Sequence, residues 1–305
     1  MSVATDNRSR IRVGTILHGD KLDTIPVVAH HGFESIGLYL FGEVARQIDW
    51  PAAAEQVRRG IGEADMVVST LSIYVNALAD PADVTAWERA IDNAHLFECD
   101  IVAGFTGRVV DQPVHDSMRR FTEVFGELAR RAADRGVRIA FENWNGNGNW
   151  WRGDWNMAHH PSAWEMIFDA VPSDNLGLQW EPCHQMMLLM DPLRQLREWA
   201  PKVFNVHGKD AEVSWDKLRA VGVDSFEPDG SLTWARARTP GFGDTNWHGV
   251  IDVLAENGYR GSIDIEGFHD DQHGGQSEFT SQLTALAYLK LCRGIEPVPN
   301  PWERG

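Results

Sequence analysis

Cysteine is scarce in this chain, and the placement of the few cysteines excludes two kinds of site. Only Cys99, Cys183 and Cys292 occur, and no CxxC spacing is present. A disulfide framework or a thiolate zinc site needs paired cysteines, so the sequence argues against both. Reduced thiols are typical of the cytosol, and we therefore expect an unexported, cytoplasmic protein.

Positive charge and long apolar runs are also lacking. The chain has 28 Lys and Arg against 44 Asp and Glu, a formal net charge of -16, and no run of basic residues interrupts this balance. A field of this sign repels nucleic acid and anionic membrane surfaces. No window approaches the length of a membrane span, and the N-terminal segment MSVATDNRSRIRVG lacks an apolar export signal. We expect a soluble protein with neither nucleic acid nor membrane as a partner.

Short apolar or β-branched runs recur along the whole chain. They are IRVGTIL (11–17), SIGLYL (35–40), MVVSTL (66–71), DIVAGF (100–105), VRIAFE (137–142), NLGLQWE (175–181), VFNVH (203–207) and SIDIE (262–266). Helical stretches lie between them, with start signals at Asp49-Trp50-Pro51, Asp80-Pro81 and Asp191-Pro192. Eight such units predict an α/β protein, a (β/α)8 TIM barrel, rather than an open sheet. No GxGxxG follows the first run to indicate a dinucleotide fold.

Two connections in this predicted barrel are longer than ordinary turns. They cover about residues 143–160 and 208–246, and the chain closes with a Pro-containing tail, EPVPNPWERG. No interior linker rich in Pro, Gly or Ser divides the sequence, so we predict one domain over residues 1–305. Long loops in a compact domain are usually functional, which makes both connections candidates for the site.

The first long loop carries four tryptophans together with Asn and Gly residues. Sugars have apolar C–H faces and polar rims, so their sites combine aromatic platforms with amide and charged partners. We predict substrate contacts from Trp144, Asn143 and Arg152, and from His18 at the end of the first strand. The alternatives are tryptophans that pack the loop onto the barrel or another subunit, and a structural histidine.

Four strands end with a polar residue on the same face. Side chains alternate between the faces of a strand, and one alternate set in each of VRIAFE, NLGLQWE, VFNVH and SIDIE is apolar. The apolar set should face the helices, which leaves the small or polar set facing the barrel axis. Glu142, Glu181, His207 and Glu266 would then converge at the carboxyl ends of the last four strands. Active sites of such barrels form at that rim.

Three carboxylates and one imidazole in one place predict a metal. Mutual repulsion and loss of hydration would otherwise force protons onto the acids. Oxygen ligands with one imidazole suit a divalent ion, Mn²⁺ as first choice and Mg²⁺, Co²⁺ or Zn²⁺ as the others. We predict Glu142, Glu181, His207 and Glu266 as its ligands. The alternative for any single acid is a helix cap or a loop residue.

Several segments also carry a family resemblance. They are HGFESIGLYL (31–40), FEN (141–143), EPCH (181–184), HGKD (207–210) and PGFGDTNWHGVIDVLAENGYRGSIDIE (240–266). With them the chain resembles the sugar isomerase and epimerase family of xylose isomerase-like TIM barrels, which includes ketose 3-epimerases, hydroxypyruvate isomerase and inosose dehydratase. The resemblance implies a small sugar or sugar derivative as substrate, the same four metal ligands, contact of His184 with a substrate hydroxyl, and a homo-oligomer.

The resemblance also implies a reaction. The metal binds a carbonyl and a neighbouring hydroxyl of the sugar, which acidifies the C–H bond between them and stabilises the enediolate. Glu142 and Glu266 would remove and return the proton; return to the adjacent carbon would give isomerisation instead of epimerisation. Two departures are that the sixth-strand acid, often Asp, is Glu181 and that HGKDAEVSW offers Lys209 where epimerases usually carry an Arg. We count Lys209 among the substrate contacts.

Three other functions remain open from the sequence. A lyase or dehydratase would use the same enediolate, like inosose dehydratase or the large subunit of enzymes that cleave C-glycosides of 3-keto sugars, and would admit a small partner subunit. DNA repair resembling endonuclease IV needs more His and acid ligands and a basic groove, which the net charge of -16 opposes. A non-catalytic sugar-binding protein would not need all four ligands.

Overall fold

Eight parallel strands close into a barrel in the computed structural model, which describes residues 7–294. The strands are β1 (Arg12–His18), β2 (Ser35–Phe41), β3 (Val67–Tyr74), β4 (Ile101–Gly104), β5 (Arg138–Glu142), β6 (Leu176–Trp180), β7 (Val203–Gly208), β8 (Asp210–Val213), β9 (Ala235–Arg238) and β10 (Ser262–Ile265). Strands β8 and β9 form a separate antiparallel pair, and the other eight form the barrel. The predicted (β/α)8 fold is confirmed. The Pro-containing tail, residues 296–305, lies outside the described residues.

Helices connect the barrel strands. They are α1 (Ile25–His30), α2 (Glu43–Gln47), α3 (Trp50–Ile61), α4 (Pro81–Asn93), α5 (Val114–Ala133), α6 (Pro161–Ala170), α7 (Pro182–Met187), α8 (Pro192–Trp199), α9 (Trp215–Val221), α10 (Trp247–Glu256) and α11 (Glu278–Arg293), with 3-10 turns at Leu22–Thr24, Ala94–Phe97, Ala200–Lys202 and Gly275–Ser277. The predicted start signals are confirmed, because Asp49, Asp80 and Asp191 each cap a helix that has Pro in its first turn. Among residues 7–294, no helix combines the length and apolarity needed to cross a bilayer.

The order of the strands brings all their carboxyl ends to one rim. Around the barrel the order is β1, β2, β3, β4, β5, β6, β7 and β10, with β10 paired to β1 to close the ring. Thr15 of β1 shows the closure, since it lies opposite Ile36 of β2 and Ile265 of β10. Neighbours along the chain are thus neighbours in space, as right-handed βαβ units require.

The two faces of the barrel strands carry different chemistry. Leu176, Leu178 and Trp180 of β6 are fully buried in the apolar core. Inside the barrel lies a layer of polar side chains that includes Ser35 and Asp264, and β1 passes close to it. A Cβ on Gly14 would lie 2.1 Å from Oγ of Ser35 and 2.5 Å from Oδ1 of Asp264, so only glycine leaves room for this layer.

The long connection after β7 contains structure that the sequence pattern did not predict. Strands β8 and β9 pair antiparallel, with Asp210 opposite Arg238, and α9 lies between them in the chain. Trp234 is buried in a small apolar core of this insert, against which Met187 of α7 packs. Asp210 anchors the insert to α10 by accepting hydrogen bonds from the N–H of Thr245 at 2.9 Å and from Nε1 of Trp247 at 3.1 Å.

Candidate active site

Glu142, Glu181, His207 and Glu266 lie together at the carboxyl ends of β5, β6, β7 and β10. From Nδ1 of His207, the nearest oxygen of Glu266 is 3.1 Å away, that of Glu142 3.8 Å and that of Glu181 4.0 Å. All four side chains are buried. The residues that the alternating pattern brings to one rim therefore meet around a single imidazole ring.

Glu181 is the most enclosed acid of this group. It is fully buried, and among the described residues neither of its carboxylate oxygens has a hydrogen-bond partner. Nε2 of His184 lies 2.5 Å from Oε1, so this imidazole is the polar group next to the acid. A buried carboxylate left without donors is unstable by about 1–3 kcal/mol or more, so this position calls for a positive charge.

The donor atoms fit a divalent cation. One ligand atom each from Glu181, His207 and Glu266 lies within 4.8 Å of the other two, and Glu142, Glu181 and His184 form a second such set. Ligands about 2.1 Å from one ion are about 3 to 4 Å apart, which matches the separations around His207. Carboxylate oxygens with imidazole nitrogen are donors that Mn²⁺, Mg²⁺, Co²⁺ and Zn²⁺ accept.

The acids of the site have opposite pKa shifts. Burial raises the pKa of Glu142 to about 8, although the charge of His207 opposes this. Burial also acts to raise the pKa of Glu266, but the Lys209 ammonium and the hydrogen bond from His207 outweigh it and hold that pKa well below its usual value. The pKa of His207 rises to about 9, because its hydrogen bond to Glu266 and the nearby acids outweigh the effect of burial. Such divergence is typical of functional sites.

Lys209 and His269 both hold Glu266. Nζ of Lys209 donates to Oε1 of Glu266 at 2.8 Å and lies 3.4 Å from Nε2 of His184. Nε2 of His269 lies 3.1 Å from the same Glu266 oxygen. His269 is not among the predicted residues, although EGFH (266–269) repeats the Glu-x-x-His spacing of EPCH (181–184). That repeat is the signal that would have found it.

Asn143 makes two hydrogen bonds with the backbone of Glu181. Its Nδ2 donates to the carbonyl oxygen of Glu181 at 2.8 Å, and its Oδ1 accepts from the N–H of Glu181 at 2.8 Å. The side chain is fully buried. Asn143 therefore joins the ends of β5 and β6 and fixes the backbone of Glu181, and its contact with substrate remains a prediction.

The long loop after β5 is fastened from within by two polar side chains. Nδ2 of Asn156 donates to the carbonyl oxygens of Glu142 at 2.8 Å and Trp144 at 2.6 Å. The buried guanidinium of Arg108 donates to the carbonyl oxygen of Asn149 at 2.6 Å. These bonds hold the chain where it leaves β5, so they also hold Glu142.

The four tryptophans of this loop have separate surroundings. Trp144 lines the central cavity, with its ring 6.3 Å from that of His184. Trp150 packs against the core, Trp151 is 64% exposed, and Trp155 lies 5.7 Å from the ring of a strand residue, Phe41. Among the four, only Trp144 is placed to meet a ligand bound at the acids.

Arg152 and His18 do not line the cavity. The side chain of Arg152 is 80% exposed, and its only described ion pair is with Asp111 at 3.8 Å. The ring of His18 is half-buried beside Tyr39 and Phe268, with centroid distances of 4.6 and 4.7 Å. Neither side chain is among the residues that line the cavity, and their contacts with substrate remain predictions.

An aromatic wall rises from the acids along one side of the cavity. Ring centroids follow one another from Tyr39 to Tyr74 at 4.5 Å, from Tyr74 to Phe105 at 4.8 Å and from Phe105 to Trp144 at 5.2 Å. All four line the cavity. Flat rings of this kind stack on the C–H faces of sugars. Of these four rings only Trp144 was predicted, because the prediction rested on the alternating pattern of the last four strands. The other three rings belong to β2, β3 and the end of β4.

A chain of hydrogen bonds beneath the cavity sets the direction of the Tyr74 hydroxyl. Nδ2 of Asn205 donates to Oδ2 of Asp264 at 2.9 Å, and Oδ1 of Asn205 accepts from Nε2 of Gln179 at 3.1 Å. Oε1 of Gln179 then accepts from the Tyr74 hydroxyl at 3.1 Å. An ionised carboxylate can only accept, so Asp264 orients every amide in the chain. Donation to Gln179 leaves the lone pairs of the Tyr74 oxygen to other partners, and Glu142 is a neighbour of this hydroxyl.

A family model described as xylose isomerase-like TIM barrel matches residues 25–290. The chain belongs to this family. The resemblance inferred from FEN, EPCH, HGKD and GSIDIEG is thereby confirmed. The match includes all four polar residues at the strand ends and the aromatic wall.

Three proteins illustrate what this xylose isomerase-like chain is similar to. A 3-dehydroshikimate dehydratase from Pseudomonas aeruginosa is 31% identical over 170 residues, which are 54% of this chain and 23% of that protein, so the match spans less than a quarter of the relative. A xylose isomerase domain protein from Planctomyces limnophilus has a TM-score of 0.69 at 18% identity, over 93% of this chain and 96% of that one. The 3-keto-D-glucoside 4-epimerase YcjR from E. coli has a TM-score of 0.67 at 14% identity, over 92% and 100%. The names of these similar proteins are thus those of a dehydratase, a xylose isomerase domain protein and an epimerase.

Proposed function

We propose that the protein is a divalent-metal-dependent sugar isomerase or epimerase that moves a proton on the carbon next to a carbonyl. The supporting observation is the buried group of Glu142, Glu181, His207 and Glu266 beneath an aromatic wall. Like charges in such a place need a cation, and a cation there needs oxygen ligands from a substrate to complete its shell.

Glu142, Glu181, His207 and Glu266 would hold the cation, with Mn²⁺ the first choice among the ions that the donors accept. When bound, it would polarise the substrate carbonyl and stabilise negative charge on that oxygen. Asn143 keeps Glu181 aligned through the two hydrogen bonds of its side-chain amide.

Glu142 and Glu266 are the proposed proton-transfer pair. They come from β5 and β10, which β6 and β7 separate around the barrel. One carboxylate removes the proton from the carbon, and the other returns a proton to the same carbon or to its neighbour. Lys209 orients Glu266 through its 2.8 Å hydrogen bond, and the Tyr74 oxygen accepts from a substrate hydroxyl.

A dehydratase or other lyase is the second candidate. The 31% identity to a 3-dehydroshikimate dehydratase favours it, as does the buried Lys209 ammonium between Glu266 and His184. Elimination starts with the same proton removal and then needs a donor for the departing hydroxyl oxygen, which Lys209 can supply. A small partner subunit would accompany this second function.

The proposed ligand is a small sugar or sugar derivative, bound by a homo-oligomer in the cytoplasm. Acidic residues at the cavity mouth, Glu227, Asp229 and Asp271, oppose a nucleic-acid substrate. Light scattering of the purified protein measures the oligomeric state directly.

Hydrogen exchange in D₂O tests the reaction. Mn²⁺-loaded protein is incubated with a panel of aldoses, ketoses and 3-keto sugars, and proton NMR follows deuterium entry next to the carbonyl. We expect entry with the wild type, none with Glu142→Gln, and wild-type rates with the exposed control Glu123→Gln. Loss of a hydroxyl from the product would favour the dehydratase, and no exchange or elimination anywhere in the panel would contradict both.

Elemental analysis tests the cation. We expect purified or reconstituted wild-type protein to hold about one divalent ion per chain, and His207→Ala to hold much less. Retention of the full metal content by both His207→Ala and Glu181→Gln would show that the ion binds elsewhere.

A further inference from the structure

The cavity is larger than the acids and the aromatic wall require. Its volume is about 1400 Å³, whereas pockets that enclose a drug-sized ligand measure about 300–1,000 Å³. A monosaccharide is smaller than such a ligand. The inner end of the cavity would hold the sugar, and its outer part extends over the end of α7 and the β8–β9 insert.

Apolar side chains line this outer part, and we call them the outer apolar subsite. Its members are Met187, Leu188, Leu189, Val223, Phe226 and Leu232. Val223 is 59% exposed and Phe226 is 55% exposed. Large apolar side chains gathered on a concave wall mark a binding surface, because water covers them unfavourably. They belong to the same continuous cavity as Glu142 and Glu266.

Leu189 has a backbone conformation that usually belongs to glycine. Its φ is +58°, and its N–H donates to the carbonyl oxygen of Met186 at 2.9 Å at the end of α7. Helices that end in this way usually carry glycine at the left-handed position, since a side chain there is strained. The side chain of Leu189 is 41% exposed and lines the cavity. Strain at such a place points to a role for the side chain itself.

We infer that the outer apolar subsite binds an apolar, flat substituent carried by the sugar, so that the substrate class is a keto sugar with an aryl or similar aglycone. The keto group is required because the anomeric carbon of a glycoside is no longer a carbonyl. The inference rests on the proposed function only in placing the sugar at the acids and in requiring the keto group. The subsite lies inside the cavity and is continuous with the end that would hold the sugar, so we expect a small molecule to occupy it. Charged Lys217 and Arg236 lie on the same lining and would remain at its rim.

Matched pairs of glycosides test the subsite by binding alone. Methyl and 4-nitrophenyl β-D-glucosides, galactosides and xylosides are titrated calorimetrically into the Mn²⁺-loaded protein. In at least one pair we expect the aryl member to bind at least about tenfold tighter, equal to about 1.4 kcal/mol. In the double variant Leu189→Gly with Phe226→Ser, the two affinities should agree within about twofold.

The variants are chosen to keep the fold. Glycine suits the φ of +58° at position 189, and Phe226 is 55% exposed in the insert. Leu291→Ser is the control, since Leu291 is 69% exposed on α11 and does not line the cavity. We expect it to keep the aryl preference and the thermal midpoint of the wild type.

Four results would overturn the subsite: no binding by any pair, equal affinities in every pair, an aryl preference that survives in the double variant, or an oligomer that dissociates in the double variant with the preference unchanged. The last result would make these residues a subunit interface.

Glu142→Gln separates this inference from the proposed function. If the wild type and this variant both keep the aryl preference while neither exchanges protons, the subsite stands and the proposed reaction fails.

Discussion

Acidic side chains have different charged neighbours at the two ends of the barrel. At the amino end, three acids lie against an arginine: Glu34 with Arg293 at 2.6 Å, Asp65 with Arg12 at 3.1 Å, and Asp100 with Arg138 at 2.8 Å. At the carboxyl end, Glu142, Glu181 and Glu266 face one another around His207, and among the Lys and Arg side chains that the structure describes only Lys209 forms an ion pair with an acid of this group.

The pKa values of two acids express this difference. Burial acts to raise the pKa of Glu34, but Arg293 and the N–H of Val13 outweigh it and lower that pKa below 4.5. Burial raises the pKa of Glu142 to about 8. Ionised Glu34 therefore adds stability at the amino end, whereas ionisation of Glu142 at the carboxyl end costs stability. That division is expected of a barrel whose carboxyl face is reserved for chemistry.

Neutralising an acid at the carboxyl end gives the largest expected effect. In Glu142→Gln, proton exchange should fall by about 10²–10⁴-fold, or about 3–5 kcal/mol in activation free energy, because one proton carrier is lost. The free energy of unfolding without metal should stay the same or increase near pH 7, because the amide does not need the proton that Glu142, with its pKa raised to about 8, takes up on folding. NMR exchange rates and urea unfolding in the presence of chelator measure the two quantities. A large loss of both activity and stability would break the contrast between the ends.

Asp264 lies between the ends and gives the next largest effect. It accepts from Oγ of Ser35 at 2.6 Å, from Oγ of Ser69 at 2.7 Å and from Asn205 at 2.9 Å, all inside the barrel. Asp264→Asn should cost about 3 kcal/mol, because an amide N–H replaces an acceptor and meets donors. Urea unfolding measures this cost.

Ser69→Ala is the control for Asp264→Asn. It removes one donor and leaves the chain to Tyr74 intact, so it should cost only about 1 kcal/mol. It should also leave KM unchanged, whereas Asp264→Asn should raise KM by freeing the direction of the Tyr74 hydroxyl. Equal effects of the two variants on both quantities would contradict an orienting role for Asp264.

Much of the fold and part of the site could be predicted from the sequence. Period-two alternation selects Glu142, Glu181, His207 and Glu266 because each strand buries one face against helices. Capping by Asp49 and its equivalents follows from local hydrogen bonds. Such features depend on residues close together in the chain, so the sequence displays them.

The remaining features depend on contacts between distant segments. Strands β8 and β9 pair with each other across α9, which lies between them in the chain, so their pairing is set by contacts that a local pattern does not display. Asn143 and Arg152 both looked like polar loop residues suited to a sugar. Only the fold shows that the first is bonded to Glu181 and the second points to solvent.

At the amino end, Glu34→Gln should lower the free energy of unfolding by about 2 kcal/mol and leave activity unchanged. The carboxylate is 23% exposed and accepts from both terminal nitrogens of Arg293, at 2.6 and 3.0 Å, which the amide cannot replace. A lowered folded pKa means that this stabilisation is full above pH 4.5 and disappears as pH falls through the folded pKa. Urea unfolding from pH 7 to pH 3 should show wild type and variant converging in acid.

Glu142 should respond to pH in the opposite sense. With its folded pKa raised to about 8, the metal-free wild type should lose stability relative to Glu142→Gln as pH rises from about 4.5 to 8. Parallel pH profiles for Glu34→Gln and Glu142→Gln would show that the two ends do not differ electrostatically.

The smallest expected effect tests whether burial or the distance between the charges determines how much an ion pair at the amino end stabilises the fold. Asp100 and Arg138 are 2.8 Å apart, as close as many strong pairs, but their side chains are 63% and 38% exposed. Exposed pairs contribute about 0–1 kcal/mol because water already solvates both charges. Asp100→Asn should therefore change the urea midpoint by less than Glu34→Gln does, and 1 M salt should abolish the change. If Asp100→Asn were as costly as Glu34→Gln, distance alone would govern stability at this end, and burial would not be what distinguishes its acids.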